Sequence, residues 1–553
     1  MEMLKLRCHF KLLIFTLLII AFLIAYKFVI IQRYISKYND GESHYAAVLR
    51  HKANAHYYGN NLVDMILNDQ IYRDNYVNAF NGDRIIHLDL KGAPPSLNYF
   101  NQLFPLLHSL NVTGLLIEYE DIFPYSDKFT HAANTYSKED IRHLLKLAKK
   151  YKLEIIPLVQ TFGHLEFVLK VYKFFRLREV FRYPQSICPS QNNTFEVITG
   201  MLDEVIALHP GIKHIHIGCD EVYQLGACPL CTARMTENRW DVKGLFLDHV
   251  TKIAKYIRST YPDIKPLMWD DELRRIPVDN LKEFKIGELI EPVVWYYDNQ
   301  IPFKFSFWEK YSKVFPAVWI ASSFKGATGP DQILPNITFH MENHKAWLRI
   351  VAEYSYLIKF KGMMLTGWQR YDHFAVLCEL LPVSIPSLVN SLLILRGSSL
   401  AYTEIPKKVK DVVACGIREH YFDRCKFPGD DLFIEMIAFQ RLRKEMDEVL
   451  NSNYIKGWLT EHNLQHGYFN PLLVEELSYK VRECQVNLNR SKEKLESELN
   501  DIYDSYTVTE WAETFVHPYF HKLGRLSNVL HYIISITEWS PRPIEIINGR
   551  KDN

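Results

Sequence analysis

The chain has 553 residues, of which 48% are hydrophobic and 23% are charged, a composition typical of a globular protein rather than a disordered or fibrous one. Its length suits one large domain with additional segments. The formal net charge is +1 and the sequence has no basic cluster with interleaved aromatic residues, so it gives no electrostatic reason to expect a nucleic-acid partner.

The N-terminus predicts a membrane anchor. Residues 12–31 form an apolar run with one charged residue, Lys27, and have roughly the length of 20 residues that spans a bilayer. We therefore predict a single-pass type II membrane protein of the secretory pathway, with a cytosolic tail at 1–11 and the remainder in the lumen of the Golgi or a related compartment. A cleaved signal peptide is the alternative. Four Asn-x-Ser/Thr sequons are compatible with a glycoprotein: Asn111, Asn192, Asn336 and Asn489.

The region that follows predicts a stem and then an α/β domain. Residues 32–82 are polar and rich in Tyr and Asn, which suits a stem. From Arg84 onward, apolar segments of strand character alternate with segments of helical spacing. Eight strands are predicted, at Arg84–Leu90, Gly114–Tyr119, Glu154–Gln160, His214–Asp220, Lys265–Asp270, Pro292–Tyr297, Phe315–Ala321 and Gly362–Trp368. Eight strands with intervening helices predict a (β/α)8 TIM barrel over residues 83–400.

Residues 401–553 predict a helical C-terminal region. Apolar residues recur there at spacings of three, four or seven among Glu, Lys and Arg: Leu477, Val481, Cys484, Leu488, Leu495, Leu499 and Ile502. This pattern predicts a long amphipathic helix. Its apolar stripe either packs back on the barrel or forms the seam of a homodimer.

The fourth predicted strand ends in two adjacent carboxylates, Asp220 and Glu221. Glycoside hydrolysis commonly uses two carboxyl groups close to one anomeric carbon. In an ideal strand the two side chains would point to opposite faces, so they share a pocket only if the strand ends and the backbone turns. The alternative is that one of them merely caps the next helix.

Other polar and aromatic residues follow the predicted strands. They are Asp89, Lys91, Glu118 and His164, and four tryptophans, Trp269, Trp295, Trp319 and Trp368. Because the carboxyl ends of parallel barrel strands meet at one mouth, these side chains are expected to gather there. Tryptophan rings can pack on the C–H face of a pyranose, so the set predicts a sugar-binding site.

The segment His216-Ile-Gly-Cys-Asp-Glu221 resembles the active-site motif of the family 20 β-N-acetylhexosaminidases, which usually has a second glycine where this chain has Cys219. Five further segments resemble a divergent branch of that family: His87-Leu-Asp-Leu-Lys-Gly-Ala-Pro-Pro95, Gly114-Leu-Leu-Ile-Glu-Tyr-Glu-Asp121, Pro157-Leu-Val-Gln-Thr-Phe-Gly-His164, Phe324-Lys-Gly-Ala-Thr-Gly-Pro330 and Leu365-Thr-Gly-Trp-Gln-Arg-Tyr-Asp-His373. Together they cover most of the predicted barrel.

The resemblance implies an exo-acting, retaining hydrolase of terminal β-linked N-acetylgalactosamine or N-acetylglucosamine in glycoconjugates. In such an enzyme the 2-acetamido oxygen of the substrate attacks the anomeric carbon and forms an oxazolinium ion. Glu221 would be the general acid and base, and Asp220 would orient the acetamide and offset its positive charge. His164 would support both carboxylates.

The sequence departs from the family at three binding positions. The family's early sugar-binding Arg is not present after the first strand, where Asp89 and Lys91 stand instead. The Tyr that usually binds the acetamide carbonyl is missing after the seventh strand, and Tyr297 is the predicted substitute. The acidic residue that commonly follows the last Trp is replaced by Gln369, with Asp372 nearby.

Two other functions stay open at this point. One is a catalytically silent, membrane-tethered sugar-binding protein on a hydrolase scaffold. The other is a two-carboxylate retaining glycosidase that uses Glu221 with Glu118 or Asp270.

The cysteines predict one local crosslink. Cys228 and Cys231 follow the catalytic strand as Cys-x-x-Cys, which in a lumenal protein favours a disulfide within the loop. No second Cys or His pair has zinc-ligand spacing, so we predict neither a metal site nor a cofactor.

Overall fold

The computed structural model describes residues 80–541, except residues 130, 397–404, 415, 419–420 and 540. The predicted tail at 1–11, the anchor at 12–31 and the stem up to residue 79 lie outside the described residues. Within the described part, no helix combines the length and the apolar character needed to cross a membrane.

The described chain folds around a closed barrel of eight parallel strands that follow one another around the barrel in sequence order. They are β1 (Asp83–Asp89), β2 (Gly114–Glu118), β3 (Glu154–Leu158), β4 (His214–His216), β5 (Lys265–Trp269), β6 (Glu291–Trp295), β7 (Val318–Lys325) and β8 (Phe360–Gly367). Each prediction of a barrel strand is confirmed, and so is the (β/α)8 architecture. Ile, Val and Leu dominate these strands because both faces of a barrel wall are buried.

Most strand bounds differ from the predicted ones by one or two residues, and two strands differ by more. β4 ends at His216 rather than at Asp220, because Gly218 and Cys219 have φ angles of 65° and 68°, which no strand accommodates. β7 begins at Val318 and runs on to Lys325, beyond the predicted end at Ala321. Both differences change which residues reach the mouth of the barrel.

The helices of the described residues surround the barrel and extend beyond it. Those up to residue 354 are α1 (Leu97–Ser109), α2 (Lys138–Lys150), α3 (Glu166–Leu169), α4 (Thr194–Leu208), α5 (Pro229–Asn238), α6 (Val242–Thr260), α7 (Val278–Glu283), α8 (Ile286–Leu289), α9 (Phe305–Ser312) and α10 (Ile337–Tyr354). The later ones are α11 (Ile385–Arg396), α12 (Ile405–Val413), α13 (Asp430–Leu450), α14 (Asn453–Trp458), α15 (Glu461–His466), α16 (Pro471–Asn500), α17 (Ser505–Phe515) and α18 (His517–Ile534). Short antiparallel pairs join Arg178–Val180 to Tyr183–Ile187 and Gly416–Arg418 to Tyr421–Arg424.

The helical C-terminal region packs on the rest of the chain. The apolar stripe predicted along α16 is buried, and α16 packs against α13 and α18 of the same chain. Of the two alternatives for this stripe, the structure shows packing within the chain, against other helices of the C-terminal region. Helix α17 lies against the loop after β1, where the Thr507 hydroxyl donates to the Gly92 carbonyl at 3.0 Å.

Candidate active site

The two carboxylates lie on the turn that follows β4. The strand ends at His216, and Gly218, Cys219 and Glu221 all have positive φ angles, of 65°, 68° and 46°. This turn brings Asp220 and Glu221 to one side, as a shared pocket requires. Left-handed conformations of non-glycine residues are costly and cluster at functional sites.

His164 lies between the two carboxylates. Its Nε2 is 3.6 Å from Asp220 Oδ2 and 3.3 Å from Glu221 Oε2. The approach depends on Gly163, because a Cβ at that position would lie 2.2 Å from the Asp220 carbonyl oxygen. The loop after β3 therefore packs directly on the turn after β4 and brings His164 to both carboxylates.

Asp271 fixes the backbone of Glu221, a role that sequence reasoning missed. Its Oδ2 accepts from the Glu221 amide at 2.9 Å, and its Oδ1 accepts from Trp295 Nε1 at 3.2 Å. The carboxylate thus links the Glu221 backbone to an aromatic residue of the neighbouring strand. Its place two residues after the end of β5 was the available signal.

Asp270, one of the two carboxylates that the two-carboxylate alternative could use, is engaged by several partners. It is fully buried, pairs with Arg274, and accepts from the Tyr311 hydroxyl at 2.8 Å. The Trp295 amide donates to it as well, at 3.3 Å. These partners hold the carboxylate beneath the mouth.

Glu118 is committed to a buried polar network. It accepts from His87 Nε2 at 3.0 Å and from Lys91 Nζ at 3.3 Å. Gln160 Nε2 lies 3.5 Å from Glu118 and 3.3 Å from Asp220, so the network reaches the catalytic turn. Asp89 completes it, 3.1 Å from Lys91 Nζ.

In this network the ionic partners shift the pKa values of Glu118 and Lys91 more than burial does. Burial opposes ionisation of Glu118, yet the Lys91 ammonium and His87 outweigh it and hold the pKa of Glu118 well below its usual value. Burial also opposes the charge on Lys91, but Asp89, Glu118 and Glu120 raise its pKa well above normal. Glu118 and Lys91 therefore form a buried ion pair, with Asp89 3.1 Å from Lys91 Nζ.

An aromatic wall stands beside the carboxylates. The rings of Trp295 and Tyr297 stack at 5.2 Å, and Trp368 Nε1 donates to the Tyr297 hydroxyl oxygen at 3.0 Å. Trp269 lies behind Trp368 at 6.0 Å and is almost fully buried. Because Trp295 and Trp368 remain partly exposed, they are the ring faces on which a sugar can pack.

Trp319 does not belong to this wall, and its predicted place at the mouth is wrong. It is the second residue of β7, and its indole donates to Glu291 Oε2 at 2.8 Å. Lys361 Nζ lies 5.3 Å from its ring centroid. Glu291 and Lys361 stand at the starts of β6 and β8, so Trp319 fills the opposite end of the barrel.

The loop after β8 carries Asp372 in a structural role. Its Oδ1 accepts from the Phe374 and Ala375 amides at 2.7 and 2.9 Å, which closes a turn. Arg370 in the same loop pairs with Glu510 of α17. The C-terminal region thereby holds one rim of the mouth.

Burial governs the protonation of the catalytic turn. The pKa of Asp220 is raised to about 7, first by burial and then by the neighbouring charges of Asp271 and Glu221, while His164 opposes the rise. Burial alone would lower the pKa of His164, but Asp220, Glu221 and Glu166 raise it well above its usual value. The site therefore holds an imidazolium beside Asp220, whose ionisation burial opposes.

Cys228 and Cys231 are both free, so the predicted disulfide between them is wrong. A third free cysteine, Cys188, approaches them from the loop after β3, with its Sγ 3.4 Å from Cys228 Sγ and 3.5 Å from Cys231 Sγ. The sequence could not indicate this meeting, because Cys188 is far from the pair along the chain.

Comparison with known proteins agrees with this geometry. The model of the glycosyl hydrolase family 20 catalytic domain matches residues 113–288, which include β2 to β5 and the catalytic turn. The chain is 38% identical to human hexosaminidase D over 458 residues, which are 80% of this chain and 93% of the relative. The chain belongs to glycosyl hydrolase family 20. It is a glycoside hydrolase of the β-N-acetylhexosaminidase class.

Two further family 20 relatives give the range of the similarity. Bovine hexosaminidase D is 46% identical over 310 residues, which are 55% of this chain and 89% of the relative. A solved chitobiase from Flavobacterium johnsoniae is 14% identical, with a TM-score of 0.45, over 84% of this chain and 73% of its own.

One departure from the family 20 motif has a direct structural meaning. Cys219 stands where the family usually has glycine, and its φ of 68° is the left-handed conformation that glycine adopts most easily. Its thiol lies 3.2 Å from the Thr161 hydroxyl and within hydrogen-bonding range of the Ile217 carbonyl. These contacts stabilise the cysteine side chain at a position where the backbone conformation favours glycine.

Proposed function

We propose that the enzyme removes terminal β-linked N-acetylgalactosamine or N-acetylglucosamine from glycoconjugates, acts from the chain end, and retains the anomeric configuration. The acetamide oxygen of the substrate is the nucleophile in this mechanism, and an oxazolinium ion is the intermediate. The observation that carries the proposal is the turn after β4, which places Asp220 and Glu221 side by side around His164. Neighbouring carboxylates suit a reaction in which neither has to attack the anomeric carbon.

In this mechanism Glu221 protonates the leaving oxygen and then removes a proton from the attacking water. Asp220 accepts from the acetamide N–H and offsets the positive charge that grows on it. Tyr297, whose hydroxyl oxygen accepts from Trp368 Nε1 at 3.0 Å, is the residue that binds the acetamide carbonyl in this proposal. Trp295 and Trp368 hold the sugar ring.

A two-carboxylate mechanism is less well supported. Asp270 is bound by Arg274 and Tyr311, and Glu118 by His87 and Lys91. A nucleophile in either position would first have to break a buried ion pair, which is strongly unfavourable. The acetamide oxygen needs no such step.

The proposal is tested by comparing aryl β-N-acetylgalactosaminide and β-N-acetylglucosaminide with the matching aryl β-galactoside, in which a hydroxyl replaces the acetamide. We expect turnover of an acetamido substrate and a loss of kcat/KM of roughly 10³-fold or more for the galactoside, because it lacks the internal nucleophile. Equal turnover of both classes would support the two-carboxylate mechanism. Binding without any turnover would support the silent sugar-binding protein.

The acidic limb of the pH profile should move in opposite directions in two variants. Asp220 has to be ionised to offset the oxazolinium charge, so kcat/KM should fall as the pH drops through about 7. His164→Gln removes a cation that lowers the Asp220 pKa, and should move the limb up by about one pH unit. Asp271→Asn removes an anion that raises it, and should move the limb down. Profiles of kcat/KM against pH that shift in the same direction would contradict the role given to Asp220.

We also propose that residues 12–31 anchor the enzyme as a single-pass type II membrane protein, with residues 32–82 as a stem and the barrel in the lumen of the secretory pathway. The apolar run, with Lys27 as its one charged residue, and the basic residues before it support this topology. Retention in the membrane pellet after alkaline extraction, together with glycosylation of the barrel, is the expected result. Release into the supernatant would exclude the anchor.

A further inference from the structure

Four metal-binding side chains converge beside the catalytic turn, outside the substrate site. They are Glu179, Cys188, Cys228 and Cys231, here called the cysteine cluster, and their ligand atoms all lie within 4.8 Å of one another. Cys188, Cys231 and Glu179 are almost fully buried, and Cys228 is partly exposed. None of the three thiols forms a disulfide.

The distances within the cysteine cluster suit a metal better than a disulfide. Cys188 Sγ lies 3.4 Å from Cys228 Sγ and 3.5 Å from Cys231 Sγ, whereas a disulfide bond is about 2.05 Å long. Tetrahedral zinc with Zn–S bonds of about 2.3 Å separates its sulfur ligands by about 3.8 Å. The three sulfurs thus surround a common centre. A disulfide between any two of them would leave the third thiol and the carboxylate without a ligand to share.

The backbone around the cysteine cluster orients two of its ligands. Cys228 caps the N-terminus of α5, where its Sγ accepts from the Cys231 amide at 3.3 Å. Glu179 Oε1 accepts from the Cys228 amide at 2.9 Å, and its Oε2 lies 3.1 Å from Cys231 Sγ. One oxygen is fixed by the backbone while the other faces the sulfurs, as in a zinc ligand oriented by a second hydrogen bond.

We propose that the cysteine cluster binds one structural zinc ion through three thiolates and one carboxylate oxygen. Four protein ligands make a closed site with no position for water or substrate, which is the pattern of structural rather than catalytic zinc. The burial of a carboxylate among three sulfurs is unfavourable without a cation, and a divalent ion supplies that charge.

The proposed zinc site lies between two loops that carry residues of the candidate active site. Glu179 lies in the antiparallel hairpin of residues 178–187, and Cys188 directly follows it. This hairpin is bonded to the loop that carries His164. The Leu165 amide donates to the Gln185 carbonyl at 3.0 Å, and the Ile187 amide donates to the Phe162 carbonyl at 3.1 Å. Cys228 and Cys231 begin the helix that follows the catalytic turn. The ion would therefore join the loop that carries His164 to the loop that carries Asp220 and Glu221.

The test is the metal content of the full-length protein, purified without added metal or chelator and measured by inductively coupled plasma mass spectrometry. We expect about one zinc ion per chain. Cys231→Ser should lower the zinc content at least roughly tenfold. Cys484→Ser, the same change at a buried cysteine of α16, is the matched control and should keep the full content.

A second measurement needs no variant. X-ray absorption at the zinc edge of the wild-type protein should show about three sulfur neighbours near 2.3 Å and one oxygen near 2.0–2.2 Å. Absence of stoichiometric zinc, or an intact mass that shows a disulfide within the cysteine cluster, would overturn the proposal. Zinc bound only by nitrogen and oxygen neighbours would overturn it as well. None of these outcomes bears on the substrate-assisted mechanism, which is measured by turnover.

Discussion

Glu221→Gln is expected to lower kcat/KM for an unactivated disaccharide by about 10³-fold, within the 10²–10⁴-fold range of general acid catalysis. Glutamine has the same shape but no acidic proton, so the leaving oxygen departs as an alkoxide. An aryl glycoside whose phenol leaves easily needs less protonation, and the loss should be clearly smaller for it. The measurement is kcat/KM for both substrates in wild type and variant.

Glu272→Gln is the matched control for this experiment. Glu272 lies beside the same acidic cluster, and burial followed by the Asp271 charge raises its pKa to about 7, as expected of a catalytic acid. Its pKa alone would therefore make it a candidate. The proposed mechanism gives it no proton to transfer, so its variant should keep most of the activity on both substrates. If Glu272→Gln rather than Glu221→Gln abolished cleavage of the disaccharide, the assignment of the acid would be wrong.

Asp220→Asn is expected to lower kcat/KM by about 10²–10³-fold for acetamido substrates and at the same time to stabilise the fold. Asparagine can still accept a hydrogen bond, but it cannot offset the positive charge of an oxazolinium ion. Removing one preorganised electrostatic partner has an effect of this size in other enzymes. The kinetic loss should be similar for activated and unactivated leaving groups, in contrast to Glu221→Gln.

The stabilisation by Asp220→Asn follows from linkage. In the unfolded chain an aspartate loses its proton near pH 4, whereas in the fold burial raises the pKa of Asp220 to about 7. The folded state therefore loses stability, relative to the asparagine variant, as the pH rises from about 4 to about 7, and the loss is complete above that range. Thermal unfolding above pH 7 should show a higher midpoint for the variant. A lower midpoint would mean that the ion pair with His164 outweighs the burial of the charge.

The sequence was sufficient to predict the barrel, because its strands are short apolar runs of regular spacing. It placed the end of β4 too late, since the alternation of apolar and polar residues continues through Gly218 and Asp220 although the backbone has already left the strand. It placed Trp319 at the wrong end of β7, because the polar residues Ser322 and Ser323, which lie in the second half of that strand, resemble a loop. In both cases the error lies in where the backbone leaves the strand, which the side-chain pattern does not determine.

The contacts that the sequence could not predict are those between loops. The sequence shows that Asp271 follows β5, but its hydrogen bond with the Glu221 amide depends on the path of the turn after β4. Cys188 reaches the Cys-x-x-Cys pair only because the hairpin after β3 folds towards α5. The catalytic pair itself was recognisable because adjacent carboxylates at a strand end are a local feature.

The central claim is that the substrate's acetamide oxygen is the nucleophile. The most direct test is the wild-type kcat/KM for a series of aryl glycosides that carry an acetyl, fluoroacetyl, difluoroacetyl or trifluoroacetyl group on the nitrogen. Each fluorine withdraws electrons from the carbonyl oxygen and weakens it as a nucleophile, so we expect kcat/KM to fall steeply with every fluorine added. Equal kcat/KM across the series would contradict the account, because a carboxylate of the protein would then be making the attack.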